Sequence, residues 1–262
     1  MPCAHRVGIL LLALCAVASA GAAEDSPLPA VIANNNRTPA EQFTNGVLTL
    51  HLELRPGRWH PEDEHSAYRD VFAFAEQGRA PQSPGPLIRV PQGTEIHATI
   101  RNALPATAKI YGLHRHPGDP NETLSVSPGD TREVQFLAGE PGTYLYWATT
   151  ADHSLEARKA EETLLSGAFI VDSPGAKLDD GVFVLSLWLT ESEEILSING
   201  KSWPDTEHLS YHFGETTHCQ VLNPTVSDHS IHLHGFYFTV DALPRKGRRG
   251  LAATDVHAGR SS

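Results

Sequence analysis

The sequence predicts an all-β protein made of two sandwich units in tandem, the second of them incomplete. Three observations carry that expectation. Short runs of alternating apolar and polar residues recur from Gly46 onward, the period-two pattern of half-buried strands. Turns bearing Gly or Pro separate the runs, as all-β architectures require. Ser173-Pro174-Gly175 then divides the series into an earlier and a later group.

Residues 24–45 are polar and rich in Pro and Asn, with the run Asn34-Asn35-Asn36, and read as a linker or loosely attached arm. Residues 47–54 alternate for four periods and predict the first long strand. Residues 86–90 and 94–100 flank the turn Pro91-Gln92-Gly93, and 131–136 and 142–146 supply further strands. Residues 154–165, where Glu is mixed with Lys and Arg, form the one stretch of helical character. Residues 167–172 close the first unit, which spans 46–175. The second unit, 176–241, runs through strands at 182–189, 195–200 and 217–223 to a histidine-bearing strand. Residues 242–262 show no sandwich pattern, and a truncated or frameshifted end with an exposed sheet edge is expected.

His5 and Arg6 precede an apolar stretch over 7–18, and Ala18-Ser19-Ala20 fits a small-residue cleavage site. Twelve residues are too few to span a bilayer as a helix. A signal peptide over 1–23 is therefore expected, with a periplasmic or secreted mature chain and no membrane span. Cys3 and Cys15 lie in that segment. Cys219 alone remains, so no internal disulfide is expected. A formal net charge of −11 argues against a nucleic-acid partner.

The most distinctive segment is Asp228-His229-Ser230-Ile231-His232-Leu233-His234-Gly235. Imidazole is the commonest protein ligand for copper and zinc. On a strand, His232 and His234 share one face, while His229 points to the other or sits in the preceding loop. His229, His232 and His234 are thus the candidate metal ligands. The alternative is a histidine-rich strand end without metal. His114 and His116 also have i, i+2 spacing, but the turn Pro117-Gly118-Asp119-Pro120 follows and places them in a loop. Cys219 lies in a predicted strand and reads as a core thiol.

Several phrases together resemble the multicopper oxidases, the laccase-like proteins built from plastocyanin-like, or cupredoxin, domains. They are Pro84-Gly85-Pro86-Leu87-Ile88-Arg89-Val90, Ser127-Pro128-Gly129-Asp130, Pro141-Gly142-Thr143-Tyr144-Leu145-Tyr146, Ile198-Asn199-Gly200, Val221-Leu222-Asn223 and His232-Leu233-His234-Gly235. The resemblance covers roughly residues 45–241 and implies tandem cupredoxin-like Greek-key β-sandwiches with copper as cofactor. It implies His229 as a type 1 copper ligand, His232 as type 2 and His234 as type 3.

The chain departs from that pattern in both units. Where the family's first domain supplies H-W-H-G and H-S-H, this sequence reads Lys109-Ile110-Tyr111-Gly112 and Trp147-Ala148-Thr149. All four cluster histidines are replaced, which predicts a packed first unit without metal. The family's closing His-Cys-His segment has no counterpart after His234, where His257 is the one histidine and no cysteine follows. A type 1 site wants two His and a thiolate, usually with a distant Met, and the only methionine is Met1.

The resemblance implies an exported copper-binding oxidoreductase that oxidises a small-molecule reducing substrate while dioxygen is reduced. A non-catalytic copper-binding cupredoxin module and a metal-free structural or interaction sandwich are the alternatives. A homo-oligomer is compatible with any of them.

Overall fold

A computed structural model describes residues 27–40, 42–119, 121–151, 153–177, 181–212, 214–234, 237–242 and 252–259. The expected signal peptide and residues 243–251 of the tail lie outside the described residues. Among the described residues the strands are β1 (Ile32–Ala33), β2 (Gln42–Thr44), β3 (Val47–Trp59), β4 (Arg69–Glu76), β5 (Gln82–Ser83) and β6 (Gly85–Pro91). They continue through β7 (Glu95–Asn102), β8 (Ala108–Tyr111), β9 (Thr123–Val126), β10 (Thr131–Leu137), β11 (Gly142–Thr149) and β12 (Ser166–Asp172). The later group is β13 (Gly181–Leu189), β14 (Glu194–Ile198), β15 (Thr217–Asn223), β16 (Tyr237–Ala242) and β17 (Ala252–Gly259). No α-helix occurs among the described residues, and none is long and apolar enough to cross a membrane.

Alternation builds the first unit. In β3, Leu48, Leu50, Leu52 and Leu54 turn inward, and in β7 Ile96, Ala98 and Ile100 do the same. A parallel pairing of β3 with β7 places both apolar rows on one face. The resulting sheet runs β1-β5-β4-β3-β7-β10, with β2 added to β3. A second sheet, β6-β12-β11-β8-β9, lies over it. Phe74, Ile88, Ile110, Tyr146, Phe169 and Val171 fill the space between. Each such buried side chain contributes about 1.5–3 kcal/mol.

β12 is buried along nearly its whole length because both of its faces are covered. Phe169 and Val171 face the first core, while Ala168 and Ile170 face the later strands. That is why Gly167-Ala168-Phe169-Ile170-Val171 reads as a continuous apolar run rather than an alternating one. The third sheet, β14-β13-β15-β17-β16, packs there. Val182, Val184 and Leu222 meet Leu87, Leu145, Trp147 and Ile170 in a second apolar cluster. Thr143 Oγ1 donates to Gln220 Oε1 at 2.5 Å across the same seam.

Three expectations need correction. The arm over 24–45 is no loose linker in its described part, since Val31, Asn36 and Ala40 are buried. Asn36 Nδ2 donates to Asn199 Oδ1 at 3.1 Å and to Val182 O at 3.3 Å, so one amide of the polar run is buried with partners. Residues 154–165 form two single-turn 3-10 helices, Leu155–Ala157 and Ala160–Glu162. Arg158 and Lys159 between them are extended, because their surroundings capture Arg158 and Glu162 instead. Finally, 252–259 within the tail forms β17, paired with both β15 and β16. Its side chains lie outside the description.

Candidate metal site

The expected histidine strand is irregular over residues 228–234, and strand pairing begins only at Tyr237. Tyr237 sits opposite Gly259 in β17. Gly235 and Phe236 lie outside the described residues. His232 and His234 still come together. Their ring centroids are 4.9 Å apart at 80°, edge to face, and both side chains are exposed.

His229 is held in the preceding loop. Asn223 organises that loop: its Oδ1 accepts from Thr225 N at 3.0 Å and Thr225 Oγ1 at 2.7 Å, and its Nδ2 donates to Ser227 O. Thr225 Oγ1 also lies 2.8 Å from His229 Nε2. The threonine has one hydroxyl proton, and its shortest carbonyl acceptor is Asn223 Oδ1. With the proton there, Oγ1 accepts from His229, which makes Nε2 the protonated nitrogen and leaves the lone pair on Nδ1.

These three imidazoles do not converge. Among the described residues no group of three or more His, Cys, Asp or Glu side chains stands close enough to hold one metal ion. Cys219 sits within β15, in register with Gly181 and Val256, and the side chain of His257 is outside the description.

The four replaced positions of the first unit share one face. Trp147 pairs with Tyr111 and Thr149 with Lys109 in the β8–β11 register. Tyr111 and Trp147 stack with centroids 3.9 Å apart and planes within 2°. The Arg158 guanidinium lies 5.5 Å from the Trp147 centroid, within cation–π range. Thr149 Oγ1 donates to the carboxylate of Glu162, which is fully buried. That carboxylate also accepts from Thr150 N and Thr150 Oγ1, each at 2.5 Å, and from Lys159 N at 3.1 Å. Burial pushes its pKa up, but the hydrogen bonds together outweigh burial and hold it below the ordinary value. Gly112, at φ 81°, follows Tyr111, and a Cβ there would run into the Leu145 carbonyl.

His114 lies in the loop after β8, with Nδ1 3.0 Å from Glu122 Oε2. Burial lowers its pKa despite the opposing charges of Glu122 and Asp119. Sequence reasoning missed Arg158 and Glu162, which fall in the stretch expected to be helical. Nothing local marks them otherwise, because the partners that bury them include Thr149 and Thr150 at the end of β11 and Pro224 after β15.

Comparison with known proteins bears on this geometry. A multicopper oxidase family model matches residues 177–254. The solved blue copper oxidase from Nitrosomonas europaea superposes with a TM-score of 0.63 at 20% identity, covering 80% of this chain and 75% of that one. The copper nitrite reductase from Nitrosomonas europaea gives a TM-score of 0.62 at 16% identity, covering 81% and 84%. The fold is cupredoxin-like. A probable nitrite reductase–hydroxylamine oxidoreductase fusion protein of Kuenenia stuttgartiensis is 26% identical over 220 residues, 73% of this chain. The chain spans about a quarter of that relative's length.

The family match runs to residue 254, so it enters β17, within the stretch expected to carry no sandwich pattern. The donor chemistry of this cupredoxin-like chain fits copper only on one side of the seam. His232 and His234 offer two exposed, adjacent imidazoles, a suitable pair for Cu(II). The first-unit half of a shared cluster does not fit, since aromatic rings and a guanidinium occupy it. A type 1 site would also need a thiolate beside His229.

Proposed function

We propose that this cupredoxin-like protein holds copper through His232 and His234, with His229 as a lesser donor brought in from the preceding loop. The edge-to-face pair at 4.9 Å, open to solvent, carries the reading. Its place inside the matched multicopper oxidase region supports copper over other divalent ions, as does copper's rank in the affinity order. Bound copper supplies a one-electron redox centre. The chain's own residues do the rest: Thr225 fixes which nitrogen of His229 is free, and the open face admits a ligand or partner. The filled seam at Tyr111 and Trp147 favours holding or passing on the metal over dioxygen reduction at a shared cluster. The signal-like pattern over 1–23 supports a place outside the cytoplasm.

Calorimetric titration with Cu(II) tests the reading. Wild-type protein should take up copper stoichiometrically, more weakly in acid because imidazole coordinates as the free base. The double variant His232→Ala/His234→Ala should lose that uptake, and His229→Ala should lose less. Undiminished affinity in the double variant would move the site elsewhere, with His114 and His116 next in line.

A further inference from the structure

We infer that Arg158 is a positioning residue, seated beside Trp147, that grips the Pro224 carbonyl and thereby sets the loop and ring orientation of His229. The proposal deepens the copper-binding reading and rests on it for its metal readout alone.

Arg158 is buried at the seam between the two units. Its Nη1 donates to Glu162 O at 3.0 Å and Leu165 O at 3.3 Å, and its Nη2 to Thr163 O at 3.4 Å. Those three acceptors belong to its own segment and fix where the guanidinium stands. A further bond, Nη2 to Pro224 O at 2.8 Å, crosses to the later strands. The planar fork makes such a set of divergent bonds without rearrangement, whereas an ammonium presents a single centre. Trp147 is itself pinned by the stacked Tyr111, so the platform beside the cation is rigid.

Pro224 suits the role because its ring fixes φ, so holding its carbonyl limits the direction in which the chain leaves. From there the contacts continue to the imidazole. Asn223 Oδ1 receives Thr225 Oγ1 at 2.7 Å, and Thr225 Oγ1 receives His229 Nε2 at 2.8 Å. Each of these bonds is short, and each fixes the next group. Loss of the Arg158 bond frees the Pro224 carbonyl, and Thr225 can then rotate its hydroxyl away from Asn223. His229 loses the reason to keep its proton on Nε2. Arg158, seated beside Trp147, thus acts on the histidine loop through hydrogen bonds.

The decisive measurement needs no metal. Nitrogen-detected NMR of the metal-free full chain should show His229 in the Nε2-protonated tautomer. In Arg158→Met the same ring should become a mixture of tautomers, with His232 and His234 unchanged and the thermal transition still cooperative. Arg158→Lys should restore the wild-type tautomer in part. If Arg158→Met does not fold, Arg158→Gln replaces it, since the shorter amide cannot span to Pro224. An unchanged His229 tautomer in the folded variant overturns the proposal. In parallel, Arg158→Met should weaken Cu(II) uptake about tenfold, the lower range for residues that orient a ligand. That loss should vanish in the His229→Ala background, and an equal loss there would mark Arg158 as merely structural. Failure of wild-type protein to bind Cu(II) would sink the copper reading and leave the tautomer result to decide on Arg158.

Discussion

Glu162→Gln changes a single carboxylate oxygen to an amide nitrogen inside a fully buried pocket. Oε1 serves Thr150 N and Thr150 Oγ1, both at 2.5 Å, while Oε2 serves Lys159 N and Thr149 Oγ1, both at 3.1 Å. Glutamine keeps a carbonyl for Thr150 but turns an NH2 group toward the Lys159 N–H, placing donor against donor. The Thr149 hydroxyl can rotate to accept, so its share of the loss is small. One charge-assisted bond lost and one donor orphaned cost about 2 kcal/mol. For a chain of this size that lowers Tm by roughly 4–8 °C. The pH dependence follows from the lowered pKa of Glu162. A carboxyl that ionises more readily folded than unfolded stabilises the fold fully above its unfolded pKa. That stability fades as pH falls through the folded value. The gap between wild type and variant should therefore be widest near neutrality and close well below the ordinary value of 4.5. Urea midpoints for both proteins at neutral and acid pH measure it. A variant equally stable at neutral pH, or a gap that does not shrink in acid, would refute the reasoning.

Gly200→Ala should lower the thermal midpoint, because Gly200 sits at φ 85° and an added Cβ would meet the Ser83 carbonyl. Backbone strain alone accounts for about 1–3 kcal/mol. Asn36→Ala should speed hydrogen exchange at the Val184 amide, which Asn199 Oδ1 holds while Asn36 Nδ2 donates to that same oxygen. The loss from the two Asn36 bonds is about 1–3 kcal/mol, and unchanged exchange would separate the arm from the later strands. Copper-loaded protein should lack the intense blue band, which needs a Cu(II)–thiolate bond. A strong band abolished by Cys219→Ser would make Cys219 a ligand after all.

Much of the sandwich was legible because strand burial on one face writes itself as alternation. Leu48, Leu50, Leu52 and Leu54 announce β3, and Ile96, Ala98 and Ile100 announce β7. Short strands such as β8 carry too few residues for the pattern to stand out. Charge and polarity misled wherever the partner was distant in sequence. Asn36 and Asn199 are 163 positions apart, and composition cannot tell a solvated amide from one satisfied across a seam. Arg158 and Pro224, 66 positions apart, present the same difficulty. The grouping of His232 with His234 was readable from i, i+2 spacing alone, even though the strand that justified it is absent. Neighbours two apart in any extended segment fall on the same side, with or without a ladder.

The seam explains why the two halves of the candidate site part company. A set of buried imidazoles facing one another without metal leaves polar nitrogens to satisfy in a poorly solvated space. Replacing one or two of them would leave the others stranded. In this chain Lys109, Tyr111, Trp147 and Thr149 share one face, where the two rings stack with Arg158 beside them. Thr149 finds its acceptor in Glu162, and Arg158 finds carbonyls on both sides of the seam. His232 and His234 keep the solvent-facing side, where two imidazoles stay hydrated without a metal and stay available to one. On the proposed reading a copper site would belong to the exposed pair, and its link to the first unit would run through Arg158 rather than through shared ligands.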